Sequence, residues 1–401
     1  MNLFLFMGNG VFIDSFGGAE KVACEMANTF TRRGWSVTIV CNDLKPGKPA
    51  YPLLSEVKLI NLNGTGKKLG VIPRPIKIGR ELTRPLRSLG VSYFFDRVNE
   101  IRLRAFTGRL DRAIADLKPD VILPFFVDDL LAVTMCPAAD SIPIVQMLHD
   151  TPENAIGPPS PVIRKALSRT ACVQVLLESF VPGVRRHCSC PTVVIPNAVP
   201  QYTGQVSYRE SGPRRIANIA RLEPKQKQQH LLIDAFALLA GDFPDWTLYF
   251  YGADQDNRYH IELEKRIGRL GLENRVFLEG VTDRVEETLL SADLFAFPSA
   301  WEGFGIALLE AMRVGLPVVG FRSAPAVNEI IADNENGILA DGGAEGLAAA
   351  LRRLMTDARL CRRLGENARV FAERYASEAV WDQWESLLTK VIAEKKRDIP
   401  C

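Results

Sequence analysis

Two glutamates stand on either side of a glycine-bracketed phenylalanine in Pro298-Ser-Ala-Trp-Glu302-Gly-Phe-Gly-Ile-Ala-Leu-Leu-Glu310-Ala-Met. Ionised carboxylates accept hydrogen bonds and donate none, so they suit the hydroxyls of a sugar or ribose rather than a phosphate. Gly303 and Gly305 remove side chains where the chain turns into the next helix. The N–H groups of a first helical turn that begins near Ile306 can then approach an anion such as a diphosphate. Arg221 and Lys227, in Arg221-Leu-Glu-Pro-Lys-Gln-Lys227, offer two fixed cations for the same anion. The plain alternatives are a surface loop ahead of an exposed helix, and a solvated basic loop.

The surrounding elements must bring these groups together. Residues 292–297 form a short apolar run of strand character, 306–314 a helix-length apolar run, Gly315-Leu-Pro317 a stop, and 318–321 another strand. Upstream, strand 215–220 leads into the Arg221 loop and an amphipathic helix over 231–239. Strand 246–252, helix 259–270 and strand 275–278 follow, the last ending at Gly280-Val281. Asp333-Asn-Glu-Asn-Gly-Ile-Leu339 reads as a structural turn and strand, and 378–395 as a long helix.

The first half opens in the same style. Strand 3–7 passes through Gly8-Asn-Gly10 and Asp14-Ser-Phe-Gly-Gly18 into a helix whose Val22, Ala23, Met26, Ala27 and Phe30 share one face; Gly34 ends it and 35–41 is a strand. This is the first unit of a doubly wound sheet, but the loop does not match Gly-x-Gly-x-x-Gly, which weakens a nicotinamide reading. Residues 119–124 and 142–148 are two more buried strands, the second ending in His149-Asp150. A lone histidine is more often structural, yet the carboxyl end of a parallel strand is where such sheets bind ligands. Residues 193–199 make a last strand before the polar, turn-rich stretch 201–212. The expected organisation is therefore two Rossmann-like α/β domains, 1–205 and 206–377, with a terminal segment 378–401.

Composition agrees. A chain of 401 residues is too long for one ordinary core, and 47% hydrophobic with 24% charged residues describes a soluble globular protein. No stretch approaches the roughly 18 apolar residues that span a bilayer. The start, Met1 to Gly8, has no basic leader and reads as a buried strand, so a cytoplasmic location is expected. Eight cysteines show no Cys-x-x-Cys pair. The close pair Cys188-Ser-Cys190, beside His187, is expected to be reduced rather than part of a disulfide framework or zinc site. Asp254-Gln-Asp256 has the form of a metal-binding Asp-x-Asp but no evident acidic partner, and is read as a loop; no obligatory metal and no cofactor are expected.

The segment PSAWEGFGIALLEAM is similar to the paired-glutamate signature of glycosyltransferase family 4, the retaining GT-B group. The resemblance runs over nearly the whole chain, strongest in the second half and diffuse between about residues 42 and 117. It implies two domains facing a central cleft. It also implies transfer of a sugar, with retention, from a UDP- or GDP-sugar to a hydroxyl of a glycan or lipid-linked acceptor. By resemblance, His149 contacts the donor sugar at the reaction centre and Glu302 holds its hydroxyls. Arg221 and Lys227 neutralise the leaving diphosphate, Lys227 being preferred to Lys225 on spacing. Glu310 takes the ribose hydroxyls, Val281 meets the nucleobase, and Gly17, Gly18, Gly303, Phe304, Gly305 and Ile306 line the donor. The family's Ile-Pro-Asn-Gly-Val-Asp is here Ile195-Pro-Asn-Ala-Val-Pro200, which removes support for ligand contacts just beyond Asn197. A nucleotide-sugar epimerase of the same fold and a non-catalytic nucleotide-sugar-binding scaffold remain as alternatives.

One stretch stands out by charge. Lys67, Lys68, Arg74, Lys77, Arg80, Arg84, Arg87, Arg97, Arg102, Arg104, Arg109 and Arg112 face only Glu81, Asp96, Glu100 and Asp111, in a chain of formal charge +2. Interleaved with Val91, Tyr93, Phe94, Phe95, Ile101, Leu103 and Phe106, this patch suits an anionic bilayer and a lipid-linked acceptor. A nucleic-acid surface and a merely solvated helical face are the alternatives.

Overall fold

The computed structural model describes residues 1–8, 12–63, 72–89, 92–158, 160–209, 211–254 and 258–397. Asn9, Gly10, Lys67, Lys68, Val91, Gln255 and Asp256, on which some sequence expectations rest, lie outside them, as does the side chain of Arg87. The chain divides into two compact units, Met1–Pro196 with Val380–Cys401, and Asn197–Ala379. The expected boundary at 205/206 thus falls inside the second unit.

Unit 1 carries parallel strands β1 (Asn2–Met7), β2 (Ser36–Cys41), β3 (Lys58–Asn61) and β4 (Val121–Pro124) in the order β3-β2-β1-β4. A further parallel row, β5 (Val145–Met147), β6 (Cys172–Val175) and β7 (Thr192–Val194), is attached to β4 through a bridge between Ile122 and Ile144. The central strands are apolar on both faces because helices cover both: Leu3 to Met7 and Val121 to Leu123 are all buried. Strand order reverses between β1 and β4, so the loops at Gly8 and Phe125 open at a topological switch point. The last helix, Ser377–Arg397, is tied to the first βαβ unit: Arg33 bonds Glu385 at 2.7 Å and Asp382 at 2.8 Å, and Trp35 Nε1 donates to Glu385 at 3.1 Å.

Unit 2 is one six-stranded parallel sheet of β8 (Arg214–Ile219), β9 (Trp246–Tyr251), β10 (Val276–Gly280), β11 (Leu294–Phe297), β12 (Val318–Phe321) and β13 (Ile338–Ala340), ordered β10-β9-β8-β11-β12-β13. All four residues of β11 and of β12 are buried, whereas β9 buries only Trp246, Leu248 and Phe250 of its six. The reversal here lies between β8 and β11. The two loops singled out by their chemistry therefore leave adjacent strands at their carboxyl ends. Gly315, at φ +86, stops the helix Ile306–Arg313 as its sequence implied, with Gly315 N–H on Met312 and Leu316 N–H on Ala311, both at 3.0 Å.

Three expectations change. Cys188 and Cys190, expected reduced, are joined in a disulfide, because the exposed turn at Ser189 before β7 brings their Cα atoms to 5.4 Å. Cys24, Cys41, Cys136, Cys172 and Cys361 are free and buried, and burial pushes each thiol up to about 12, which keeps it protonated. In the basic stretch, helix Tyr93–Leu117 turns Val98, Leu103, Phe106, Leu110 and Ile114 into the core, with the Phe106 ring 6.3 Å from Phe6. Leu103 and Phe106 are thus core residues, unavailable to a surface. Glu100 bridges Arg97 and Arg104, and Glu81 bridges Arg80 and Arg84, so part of the basic excess is paired on its own helices.

The tips of β8 and β9 meet at Gly252, where a Cβ would lie 1.9 Å from the Ala220 carbonyl oxygen. Gly252→Ala is expected to lower the unfolding free energy by about 2 kcal/mol in urea denaturation. Gly241→Ala, which meets nothing within 4 Å, should stay within about 0.5 kcal/mol of wild type. Equal stability of the two variants would mean the strand tips are not tightly apposed.

Candidate active site

At the switch point of unit 2 the loop after β8 is held by its own side chains. The Glu223 carbonyl accepts the N–H groups of Lys227 (3.0 Å) and Gln228 (3.1 Å), and its carboxylate accepts those of Lys225 (3.2 Å) and Gln226. Gln229 Nε2 donates to the Arg221 carbonyl at 2.8 Å, while its Oε1 accepts from Glu223 N–H at 3.3 Å. Gln228 turns the chain into helix Gln229–Ala237 at φ +49, a left-handed conformation that costs a non-glycine residue strain. The loop is then stitched to its neighbour after β11: Ala300 N–H donates to the Gln226 carbonyl (2.7 Å), and Gln226 Nε2 donates to the Trp301 carbonyl (3.2 Å).

The result is a close ion pair between residues 75 apart in sequence. Lys227 Nζ lies 2.5 Å from Glu302 Oε1, both side chains are nearly buried, and the ammonium sits 5.4 Å above the Phe297 ring. Lys225 is exposed and contributes its main chain, so the structure singles out Lys227 of the two. A buried pair costs desolvation that its attraction only partly repays, which makes it weak as a stabilising device and common where charge is needed for chemistry. Arg221, half-buried at the end of β8, makes no ion pair among the described residues. Beneath them, Asn218 Oδ1 and Ser299 Oγ are buried with no hydrogen-bond partner. Such atoms are uncommon in proteins, and each leaves hydrogen-bonding capacity for a water, an ion or a ligand.

Gly305, at φ +84, delivers the chain into helix Ile306–Arg313, and one turn in, buried Glu310 accepts a hydrogen bond from Tyr202 at 2.9 Å. The Phe304 ring faces inward and packs edge-on against Tyr375 at 5.3 Å, so its share in any anion site is its main chain. Gly280, at φ +73, presents Val281, which is 46% exposed, at the end of β10. No local pattern marks Tyr202, Glu223 or Gln229 as site-forming residues, since their partners are set by the fold.

Unit 1 supplies the remaining expected residues. Gly17 precedes helix Gly18–Arg32, and a Cβ on it would lie 2.0 Å from the buried Glu20 carboxylate, which accepts from Ser15 Oγ at 3.2 Å. Asp129, fully buried and unforeseen, accepts from Gly8 N–H at 2.8 Å and Phe126 N–H at 3.2 Å; burial holds its carboxyl well above the ordinary range. His149, two residues past β5, stacks on Phe125 at 4.9 Å, and both its ring nitrogens are shielded from solvent without a hydrogen-bond partner. Burial lowers its pKa to about 4, so at neutral pH it is an uncharged imidazole with one donor and one acceptor to offer.

Comparisons with known proteins give the family and the fold. Residues 16–201 match the family Glycosyltransferase Family 4, and residues 205–371 match Glycosyl transferases group 1. An exopolysaccharide phosphotransferase of Streptomyces coelicolor is 31% identical over 305 residues, covering 72% of this chain. The chain spans only 31% of that relative's length. Among solved structures, sucrose-phosphate synthase from Thermosynechococcus elongatus superposes with a TM-score of 0.78 at 18% identity, covering 98% of this chain and 99% of that one. Anabaena HepE in complex with UDP-glucose does so at 0.72 and 20%, covering 97% and 100%. Fold and site together define a GT-B glycosyltransferase. The chain belongs to glycosyltransferase family 4.

The depressed pKa of His149 has a consequence for acid stability. Its folded value lies below the unfolded one, so the unfolded chain takes up the proton first as pH falls. The stability it contributes is complete above about pH 6.5 and is lost on the way down through pH 4, a change on the order of 3 kcal/mol. In a histidine-selective NMR titration one of the four histidines should stay neutral down to about pH 4 to 5, and its signal should vanish in His149→Gln. A His149 resonance that titrates near 6.5 would refute the buried imidazole.

Proposed function

We propose that this glycosyltransferase moves a sugar from a nucleoside diphosphate sugar, with a UDP- or GDP-sugar as donor, to a hydroxyl of a glycan or lipid-linked acceptor, with retention at the anomeric carbon. The observation that carries this reading is the Lys227–Glu302 pair set beside Arg221 and the start of the Ile306 helix, with Glu310 one turn further in. Cations and helix N–H groups suit the diphosphate, and carboxylates suit the hydroxylated rings on either side of it. HepE, whose structure holds UDP-glucose, and the Streptomyces relative, named for exopolysaccharide, support the donor and acceptor classes.

In the proposed reaction the bond from the anomeric carbon to the diphosphate oxygen breaks as one from the acceptor oxygen forms on the same face. The acceptor's proton passes to the departing phosphate. Arg221, Lys227 and the helix start stabilise the charge that develops on the diphosphate, a role in which fixed side-chain cations can serve without a metal. Glu302 holds sugar hydroxyls and Glu310 the ribose hydroxyls. His149, neutral and unpartnered, hydrogen-bonds the sugar rather than acting as a cation. Same-face substitution is preferred because no residue of the set is left over as a carboxylate nucleophile. Gly17, Gly18, Val281 and the main chain of residues 303–306 complete the donor contacts.

A thermal-shift panel of UDP-, GDP- and ADP-sugars in EDTA, on wild type and Glu310→Ala, tests the donor reading. One nucleotide class should raise Tm as the logarithm of its concentration over Kd, and the variant should lose the effect. No shift with any donor would count against the donor reading; a shift without transfer to any acceptor would favour the scaffold alternative, and an epimer formed without acceptor would favour the epimerase.

The acceptor reading has a surface of its own. Helix Arg74–Thr83 buries none of its ten residues; Ile78 is 60% and Leu82 74% exposed one turn apart, with exposed Leu86 and Tyr93 beyond. Arg74, Lys77 and Arg84 are also exposed along this stretch. An apolar face fringed by cations fits the interface of an anionic bilayer, and no helix of the described residues is long and apolar enough to cross one. The protein should therefore sediment with phosphatidylglycerol vesicles at low salt, and Ile78→Asp with Leu82→Asp should stay in the supernatant. Wild type left in the supernatant under those conditions sinks the membrane reading.

A further inference from the structure

Tyr202 lies in a stretch without regular structure that is nonetheless fixed along its length. On one side Val199 N–H donates to the Tyr375 carbonyl, and on the other Val206 N–H donates to the Val314 carbonyl, both at 2.9 Å. Between these anchors, Thr203 and Gly204 N–H groups both donate to Glu286 Oε1 at 2.8 Å. Gly204 approaches Leu290 so closely that a Cβ would lie 2.4 Å from its Cδ1. Glu286 and Leu290 belong to helix Val285–Leu290, the element that follows Val281. The strap thus joins the end of β10 to the helix of Glu310, and it places the Tyr202 hydroxyl 2.9 Å from Glu310 Oε1.

A glutamate carboxylate rotates in a broad, shallow well about its last torsion. Binding the two neighbouring hydroxyls of a ribose requires both carboxylate oxygens in one plane, and fixing that plane on binding costs affinity unless it is fixed beforehand. A phenol held by a four-point strap and donating to one oxygen fixes it in advance. We infer that Tyr202 is a positioning residue for the nucleoside half of the donor, and that by orienting Glu310 it sets the preference for ribose over deoxyribose. The inference rests on the reading of Glu310 as the ribose carboxylate.

The test compares, by calorimetry on the intact chain, the nucleoside diphosphate that the donor panel selects with its 2′-deoxy analogue. Wild type should prefer the ribonucleotide by roughly tenfold or more, and Tyr202→Phe should remove most of that preference. Turnover at saturating donor should stay within about twofold, because the bond acts on binding and not on the departing diphosphate. Glu286→Ala removes the acceptor of two strap bonds without touching either partner of the Tyr202–Glu310 bond, and should lower the same ratio; it serves if Tyr202→Phe does not fold. A ribose preference unchanged in the folded variants overturns the inference and leaves the donor reading standing. If wild type binds no nucleotide, or Glu310→Gln binds as tightly as wild type, the donor reading fails and the inference falls with it.

Discussion

The buried pair of Lys227 and Glu302 is the constraint on which the switch point of unit 2 is organised. Its two partners leave adjacent strands of a parallel sheet at the point where strand order reverses, where the connections go to opposite faces of the sheet and a crevice opens at the strand ends. Neither charge could be held so far from water alone, since an unpaired ammonium or carboxylate in that position would cost several kcal/mol. Each therefore permits the other. The bond from Ala300 N–H to the Gln226 carbonyl, the bond from Gln226 Nε2 to the Trp301 carbonyl, and the bond from Glu223 N–H to Gln229 hold together the two loops that carry the pair. On the proposed reading the pair also keeps the site intact between turnovers: the cation that will meet a diphosphate is balanced until one arrives.

Much of this arrangement was legible in the sequence because it rests on local physics. Unbroken apolar runs gave β11 and β12, which are buried on both faces, and Gly315 ended its helix for the reason any glycine at positive φ does. The choice of Lys227 over Lys225 came instead from the family resemblance; in the structure Lys227 pairs with Glu302 and Lys225 is exposed. The site's long-range partners were not legible. Nothing local marks Tyr202 as the partner of a carboxylate 108 residues away, or Asp129 as the acceptor for a glycine amide 121 residues back. The basic stretch misled in a different way. Charges and aromatics interleave there because helix Tyr93–Leu117 has one core face, and spacing alone did not separate Phe106, which packs on Phe6, from Tyr93, which is exposed.

The two units differ in how they handle charge, and the difference follows from burial. Unit 2 gathers a lysine, an arginine and two glutamates at its switch point. Unit 1 places at its own strand ends an aspartate whose carboxyl burial holds toward the protonated form and a histidine that burial holds neutral. His149, uncharged near pH 7, can exchange hydrogen bonds with hydroxyls while adding no field of its own. On the proposed reading, the full charges of unit 2 are those that meet the diphosphate, where the charge of the leaving group grows.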